Sequence, residues 1–309
     1  MNILFFCNAN KIVGIGHFRR CIVIANSLRE LNSNLKISFF GDIDIDFLRL
    51  KKINIDNFQF DGNLDIQDAI VFDSYAEEDY LNINKIQTIK IALDDLEKND
   101  YIGWNLVVNF RHKKEYKEYK SQNSRYGLKY FPFDKKFSNL RKKQTAKDLK
   151  NLFFYFGETV EVELINDSIN LIKEYKDRFN FYFYTQTKDP DNLYYSIDSN
   201  NFFDYFIKAD LIIHGGGLTK YESSFSKKLN LSFSINELQK KDTEYLASCN
   251  LTNDMGYFQD IYSSIKESIE YSLNLKDYDV NNFHNSVEKY FFDDSLDNIT
   301  NEINKILIS

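Results

Sequence analysis

A histidine lies in a glycine-bearing turn near the N-terminus, where a short apolar strand gives way to a predicted helix. Gly14, Gly16 and His17 fall within four residues of each other, although the 309-residue chain has only 11 glycines and 4 histidines. A neutral imidazole can accept a proton from a hydroxyl group at neutral pH, and glycine lets the backbone approach a ligand closely. These residues predict a general base beside a ligand-binding loop. The alternative is that His17 only caps the helix.

Two further glycine-bearing turns follow predicted strands. Gly157 follows LFFYF, and Gly215, Gly216 and Gly217 follow DLIIH. Each turn leads into a predicted helix, whose free backbone N–H groups favour an anion. Turn formation alone would explain one such loop, but three of them in a chain so poor in glycine favour a phosphate-bearing ligand.

Two common phosphate-binding motifs are excluded. The dinucleotide-binding motif needs a third glycine where this chain has Arg19, and its turn directly follows the strand, whereas Gly14 lies several residues beyond Cys7. Asp42, which resembles the acidic ribose ligand of that motif, does not change this conclusion. The GK[ST] sequence of a Walker A loop occurs nowhere in the chain.

Composition limits the class of protein. The net charge is −7, and the basic stretches at 111–120 and 141–150 contain acidic residues or polar breaks. Cys7, Cys21 and Cys249 lack the spacing of a zinc site, and no apolar run approaches the roughly 20 residues of a membrane span. The sequence therefore predicts a cytoplasmic protein with no nucleic-acid partner, no integral membrane segment and no structural zinc.

Short apolar strands alternate with helical patterns along almost the whole chain. Strands are predicted at 2–7, 36–41, 69–73, 88–93, 105–109, 151–156, 179–184, 210–214 and 229–235, and helices at 17–31, 161–177, 218–228, 258–275 and 294–308. Strands that are apolar on both faces and separated by helices indicate parallel βαβ units. Because the polar stretch 138–150 divides them into two series, the sequence predicts an α/β protein with two doubly wound, Rossmann-like domains.

The stretch GIGHFRRC resembles the GxGHxxRC opening of the UDP-sugar hydrolases of pseudaminic acid biosynthesis and their glycosyltransferase-like relatives. Matching segments follow in order: VFDSY (71–75), ALDD (92–95), VVNF (107–110), YGLKYFPFDKKF (126–137), FFYFGETVE (153–161) and HGGGLTKYES (214–223). The resemblance implies the GT-B fold, in which two Rossmann-like domains face each other across a cleft. It implies a sugar- or acceptor-side domain over 1–140 and a nucleotide-binding domain over 148–293. The last helical segment, at 294–309, has no strand after it and could pack on the first domain.

The resemblance also implies roles for individual residues. His17 occupies the position of the catalytic histidine. The implied substrate-binding residues are Gly14, Gly16, Asp73, Tyr75 and Gln239, and the implied nucleotide-binding residues are Gly157, Thr159, Gly216, Gly217, Leu218, Thr219 and Glu222. Among the latter, the backbone of Leu218 would contact the base, Thr219 would lie near the phosphates, and Glu222 would bind the ribose hydroxyls. No metal and no cofactor is expected.

Two positions depart from the pattern of the hydrolases. Glu158 stands where they usually have glycine, and a carboxylate beside a diphosphate is repelled unless it turns away or meets a metal. Leu238 precedes Gln239 where they have asparagine, and Asn236 lies two residues away. Both departures weaken the assignment of the parent activity.

The predicted function is hydrolysis of a nucleotide sugar. Water would attack the anomeric carbon with inversion and release UDP from a UDP-linked deoxy amino sugar, in the biosynthesis of bacterial surface glycans that contain nonulosonic acids. The first alternative is a GT-B glycosyltransferase that moves the activated sugar to a glycan acceptor, and His17 would serve either reaction. The second alternative is a protein that binds nucleotide sugars without turning them over.

Several other titratable residues have competing interpretations. His214 is either structural or in contact with phosphate, and His284 is expected at the surface. Arg20 is interpreted as part of an internal ion pair rather than as a phosphate ligand. Asp94 and Asp95 are adjacent, so their side chains are expected to point to opposite faces of a strand, with at most one of them in the site.

Overall fold

The computed structural model describes the chain except for a few short segments. Those segments are residues 52, 57, 61–63, 65, 66, 139, 141–148, 158–164, 186–190 and 309, together with the side chains of 165–167. The chain divides into two compact units. The first unit contains Met1–Lys135 and Phe291–Ser309, and the second contains Lys136–Tyr290. The predicted linker at 138–150 falls mostly outside the described residues.

Both units are built from parallel strands joined by helices. The strands are β1 (Asn2–Cys7), β2 (Lys36–Phe40), β3 (Ala69–Asp73), β4 (Ile89–Leu93), β5 (Leu106–Asn109), β6 (Ser124–Tyr126), β7 (Asn151–Tyr155), β8 (Asn180–Tyr184), β9 (Tyr195–Ile197), β10 (Leu211–His214), β11 (Leu229–Ser234) and β12 (Asn253–Tyr257). The helices are α1 (Gly16–Leu31), α2 (Ile45–Leu50), α3 (Glu77–Asn84), α4 (Lys135–Ser138), α5 (Ile165–Tyr175), α6 (Phe202–Lys208), α7 (Thr219–Phe225), α8 (Glu237–Ser248), α9 (Ile261–Asn274), α10 (Asp277–Tyr290) and α11 (Ser295–Ile308).

The first sheet has the strand order β2-β1-β3-β4-β5-β6, counted over the described residues. Its central strands β1 and β3 are apolar and buried on both faces, because helices cover the two sides of a parallel sheet. Their register pairs Cys7 with Asp73, so both strands end at the same level. The loop into α1 therefore starts beside the last residue of β3.

Helix α11 belongs to the first unit. Its apolar face, which includes Ile299 and Ile303, packs against α1, β4, β5 and a short 3₁₀ turn at Leu128–Tyr130. Arg125 adds an ion pair with Glu302, at 2.6 Å. The last helix of the chain thus returns to the unit formed by the first 135 residues.

The second sheet has the order β12-β11-β10-β7-β8-β9 within the described part of the chain. His214 at the end of β10 pairs with Tyr155 of β7 on one side and Ser232 of β11 on the other. This register brings the turns after β7, β10 and β11 to one edge of the sheet.

The predicted α/β fold with two doubly wound sheets is confirmed. Each predicted strand is present to within about one residue, whereas β6, β9 and β12 were not predicted. All three are edge strands: β6 lies at one edge of the first sheet, and β9 and β12 are the two edges of the second sheet. Their short, polar sequences SRY, YSI and NDMGY carry no apolar signal, since an edge strand is less enclosed than a central one.

Candidate functional site

The loop between β1 and α1 delivers His17 to the edge of the first sheet. The Asn10 side chain accepts hydrogen bonds from the backbone N–H groups of Ile12 and Val13, at 2.8 and 2.9 Å. Gly14 closes the loop with a φ of +75°, a conformation that residues with a Cβ rarely adopt. Helix α1 then begins at Gly16, so His17 lies in its first turn.

His17 pairs with the last residue of β3. Its Nδ1 lies 2.7 Å from Asp73 Oδ1, and both side chains are buried. Burial alone would raise the pKa of Asp73, but Arg20 and His17 together lower it, so Asp73 is an anion. The carboxylate therefore accepts the proton of Nδ1, which assigns the tautomer from the hydrogen-bond network. In that tautomer Nε2 carries a lone pair, and no described residue forms a hydrogen bond with it.

Arg20 holds the same carboxylate from the other side. Its Nε lies 2.5 Å from Asp73 Oδ2 and its Nη2 lies 2.6 Å from Oδ1, which is bidentate geometry. Burial lowers the pKa of Arg20, but the nearby carboxylates of Asp73 and Asp95 outweigh it and raise that pKa well above its usual value. Nη2 also lies 2.8 Å from His17 Nδ1, and a hydrogen bond between them would need the other tautomer. Because a carboxylate is a stronger acceptor than an imidazole nitrogen, we assign the proton of Nδ1 to the bond with Oδ1. The internal ion pair predicted for Arg20 is present.

A second carboxylate extends the network. Asp95 Oδ2 accepts hydrogen bonds from the Tyr75 hydroxyl and from Arg111 Nε, both at 3.0 Å. Burial raises the pKa of Asp95, but Arg111 and then Arg20 lower it far below its usual range. The ring of Tyr75 meets the ring of His17 edge to face, with centroids 4.3 Å apart. Burial and Asp95 raise the pKa of Tyr75, so its hydroxyl stays a neutral donor.

The adjacent carboxylate of Asp94 stabilises a turn and makes no hydrogen bond to Arg111 or Tyr75 among the described residues. Its Oδ1 accepts hydrogen bonds from the backbone N–H groups of Leu96 and Glu97, at 3.1 and 2.9 Å, and closes the turn after β4. Burial, followed by the charge of Asp95, raises the pKa of Asp94. The two side chains diverge as predicted, although both lie beyond the end of the strand rather than on it.

The network formed by His17, Arg20, Asp73, Tyr75, Asp95 and Arg111 is called the His17 cluster below. It contains two carboxylates and two guanidinium groups, so its charges balance while His17 is neutral. Arg111 was not predicted from the sequence. The sequence did contain a signal for it. Arg111 comes just after the strand predicted at 105–109, much as Asp73 ends one predicted strand and Asp95 follows another. Neighbouring parallel strands end at the same edge of a sheet, so these side chains could have been expected together.

In the second unit, a buried histidine supports the turn Gly215–Gly217, called the glycine turn below. His214 Nδ1 accepts a hydrogen bond from Gly216 N at 3.2 Å, and Nε2 donates to Asn230 Oδ1 at 3.1 Å. The contact at Nδ1 requires a neutral imidazole, because a protonated Nδ1 cannot accept, and burial lowers the pKa of His214 to about 3. His214 is therefore structural, which resolves the two interpretations that the sequence left open.

Gly215 and Gly216 are required in this turn for different structural reasons. A Cβ on Gly215 would lie 2.6 Å from the Ile235 side chain and 3.0 Å from the Phe156 carbonyl oxygen, and Gly216 has a φ of +73°. Gly217 is exposed and has neither constraint. The backbone N–H groups of Gly217, Leu218 and Thr219 donate to no described residue, which leaves them available to a ligand.

Other predicted nucleotide-binding residues occupy the same edge of the second sheet or lie outside the described residues. Gly157 follows β7 with a φ of +91°, and Glu222 is half-buried in the first turn of α7. Glu158 and Thr159 lie outside the described residues, so nothing is added to the predictions for them.

The predicted substrate-binding residues are divided between the two units. Asp73 and Tyr75 join His17 in the first unit, whereas Gln239 lies in α8 of the second unit, beside Gly216. Its side-chain oxygen accepts a hydrogen bond from Ile235 N at 2.9 Å, which leaves the amide NH₂ as a donor. Leu238 is exposed, and Asn236 caps α8 by accepting from Gln239 N.

The prediction that His284 lies at the surface is wrong. Its relative exposure is only 2%, because it lies on the face of α10 that packs inward together with Val280, Phe283 and Val287. The polar residues around it in the sequence belong to the opposite face of the same helix.

Neither a metal centre nor a membrane span is found in the described part of the chain. No three His, Cys, Asp or Glu side chains there are grouped in a way that could hold a metal ion. None of the described helices combines the length and apolar character needed to cross a bilayer.

Sequence comparisons identify one curated relative. No protein-family model matches the chain. An uncharacterized protein of Methanocaldococcus jannaschii is 27% identical over 305 residues, a match that covers 84% of this chain and 62% of that protein. The chain therefore spans less than two thirds of the length of this relative.

Structure comparisons find similar folds over nearly the full chain. MurG of Acinetobacter baumannii gives a TM-score of 0.62 at 10% identity, covering 98% of this chain and 99% of its own. UDP-glucose:anthocyanidin 3-O-glucosyltransferase in complex with UDP gives 0.64 at 11% identity, covering 99% and 98%. The spinosyn forosaminyltransferase SpnP gives 0.63 at 10% identity, covering 100% of both chains. With two parallel six-stranded sheets among its described residues, this chain has the GT-B fold.

Proposed function

We propose that the protein is an enzyme that acts on a nucleotide sugar and transfers the sugar, with inversion, to a hydroxyl group of a glycan acceptor. The observation that carries the proposal is the pair formed by His17 and Asp73. Nδ1 is 2.7 Å from a buried carboxylate, and Nε2 is left with a lone pair that no described residue uses. An oriented imidazole of this kind is suited to take a proton from an attacking hydroxyl.

The proposed reaction is a single displacement at the anomeric carbon. The acceptor oxygen forms a bond to that carbon while its proton passes to His17 Nε2. The bond between the anomeric carbon and the phosphate oxygen breaks, and its electron pair leaves with the nucleoside diphosphate. Asp73 stabilises the imidazolium that results, because a positive charge then faces a carboxylate at 2.7 Å. Attack from the side opposite to the leaving group inverts the configuration.

The second unit is proposed to bind the nucleotide, with UDP as the leading candidate. Ligands of doubly wound sheets bind beyond the carboxyl ends of the strands, and the glycine turn lies there. In this proposal the diphosphate lies near Gly216, Gly217 and Thr219. The base contacts the backbone of Leu218, and the ribose contacts Glu222. The free backbone N–H groups after Gly216 support the proposal, since they can stabilise the negative charge of a diphosphate.

Hydrolysis is the second candidate. It is supported by the resemblance of GIGHFRRC to the opening of the pseudaminic acid hydrolases, and it differs only in that water replaces the acceptor. Transfer is preferred here because glycosyltransferases of the same fold, such as the anthocyanidin and spinosyn enzymes, match 99% and 100% of the chain. This order is the reverse of the one derived from the sequence.

The test is a panel of UDP-, thymidine diphosphate-, CMP- and GDP-sugars, scored for nucleotide release with and without glycan acceptors in ¹⁸O-labelled water. Transfer predicts nucleotide release that depends on acceptor, with no label in the sugar. Hydrolysis predicts release without acceptor and one ¹⁸O at the anomeric hydroxyl. The absence of turnover with every donor, combined with tight nucleotide binding, would instead support a binding protein.

A further inference from the structure

Lys220, the second residue of α7, has a buried ammonium group close to the glycine turn. Its Nζ donates to the Gly216 carbonyl oxygen at 2.8 Å and to Thr243 Oγ1 at 3.2 Å, and it forms an ion pair with Asp242 at 2.7 Å. The Lys220 side chain is only 2% exposed. A buried ion pair is weak evidence for stability, because apolar residues of similar volume often serve as well. The position of this pair therefore suggests a further role.

The backbone of Gly216 is fixed by several contacts. Its N–H donates to His214 Nδ1 at 3.2 Å, and its carbonyl oxygen accepts from Lys220. A Cβ on Gly216 would lie 3.3 Å from both Ser232 Oγ and the Cα of Ser234, so the turn packs directly against β11. The carbonyl oxygen faces a buried ammonium and not solvent. The neighbouring N–H groups of Gly217 and Leu218 have no acceptor among the described residues.

We propose that Lys220 is a positioning residue for the nucleotide: it holds the carbonyl oxygen of Gly216 inward, so that the glycine turn presents N–H groups and not a carbonyl oxygen to the diphosphate. This inference rests on the proposed nucleotide-binding function of the second unit. A carbonyl dipole that pointed toward the ligand would repel the phosphate oxygens. A turn already held in the binding conformation loses less conformational entropy when the ligand binds.

The same geometry distinguishes Lys220 from a lysine that binds phosphate directly. Asp242 balances the charge of Lys220, and the Tyr221 hydroxyl holds the other oxygen of Asp242 at 2.8 Å. The ammonium group donates to acceptors within the protein. Removing the charge pair should therefore weaken nucleotide binding without changing its dependence on salt.

The test compares two double variants of the full chain. Lys220→Met with Asp242→Asn removes the ion pair and the bond to Gly216, and it removes both charges of the pair together. Lys227→Met with Glu288→Gln removes a second ion pair, with N···O at 3.1 Å, just after the other end of α7. UDP affinity is measured by calorimetry at two salt concentrations, folding by thermal unfolding, and KM and kcat with the active donor sugar.

We expect the Lys220 variant to stay folded and to bind UDP roughly 10- to 100-fold more weakly, with KM raised by more than kcat falls. The Lys227 variant should bind UDP like the wild type. Equal UDP affinity in the wild type and the folded Lys220 variant overturns the inference. So does a loss of the salt dependence in that variant, because it would make Lys220 a direct phosphate ligand. A wild-type protein that binds none of UDP, thymidine diphosphate, CMP, CDP and GDP overturns the proposed function itself.

Amide hydrogen exchange in the wild type covers the case in which the variant does not fold. The Gly216 amide already has an acceptor, so it should exchange slowly without nucleotide, whereas the Gly217 amide should slow only when UDP is added. Fast exchange of the Gly216 amide in the free protein, with protection only after UDP is added, would contradict a turn that is held in place before binding.

Discussion

Replacing Asp73 by asparagine keeps the size of the side chain but removes the charge that faces His17. The distance between Asp73 Oδ1 and His17 Nδ1 is 2.7 Å. In an effective dielectric constant of about 20, opposite charges at this distance attract by about 6 kcal/mol. The attraction arises when His17 takes up a proton during the reaction, so it stabilises the transition state and not the resting enzyme. The amide NH₂ of asparagine would also donate to Nδ1 and force the remaining proton onto Nε2.

The variant loses the attraction to Asp73 completely, but Asp95 still places a negative charge near His17, so the net loss is at most this value. We expect a loss of about 3–6 kcal/mol, or roughly 10²–10⁴ in kcat, for Asp73→Asn. Nucleotide affinity should change little, since the glycine turn belongs to the other unit. The assay is the steady-state rate of nucleotide release, with UDP affinity measured by calorimetry on the same protein.

A matched variant separates catalysis from stability. Asp73→Asn leaves the buried guanidinium of Arg20 without its main partner, which costs about 3–5 kcal/mol of folding free energy. Adding Arg20→Met removes that uncompensated charge, so the double variant should regain thermal stability and remain slow. Wild-type turnover in the double variant would mean that Asp73 serves only to pair Arg20. A folded Asp73→Asn enzyme with kcat within about threefold of the wild type would refute the role of Asp73 in catalysis.

Three further predictions follow from the same geometry. His17→Ala should lower kcat by roughly 10²–10⁴ and leave UDP affinity nearly intact, because Nε2 is the proposed proton acceptor; full activity would reduce GIGH to a structural turn. Glu222→Ala should weaken UDP binding by about 1.5–3 kcal/mol, the range for a hydrogen bond to a charged group, and unchanged affinity in calorimetry would contradict the contact with ribose. His214 has its pKa lowered by burial to about 3 in the folded state, so below about 6.5 the unfolded chain binds a proton that the folded chain does not. Its contribution to stability is therefore present above about pH 6.5 and is lost as the pH falls, by up to about 1.4 kcal/mol per pH unit. The free energy of unfolding, measured with urea between pH 7 and pH 4, should depend less steeply on pH in His214→Gln than in the wild type. An equal pH dependence in the two proteins would show that burial does not suppress protonation of His214.

The alternation of apolar strands and helices was readable from the sequence because it is local. A central parallel strand such as β3 or β10 is enclosed on both faces, so nearly every residue in it is apolar. The turns at Gly14 and Gly216 were readable for a similar reason, since a positive φ strongly favours glycine and this preference is local. Three edge strands, β6, β9 and β12, were missed because their short polar sequences carry no apolar pattern, whereas the more apolar edge strand β2 was predicted.

The His17 cluster was decided by the tertiary structure. The strand order β1-β3-β4-β5 places side chains from four separate segments at one edge, and no local pattern encodes that order. The same holds for the choice of Asp95 over Asp94 and for the burial of His284, which depend on the partners or neighbours that packing supplies. A buried charge is stable only when an opposite charge reaches it, and Arg20 finds Asp73 at a separation of 53 residues. The sequence determined which residues could do the chemistry and where the chain turns, whereas the packing of distant segments decided which of those residues meet.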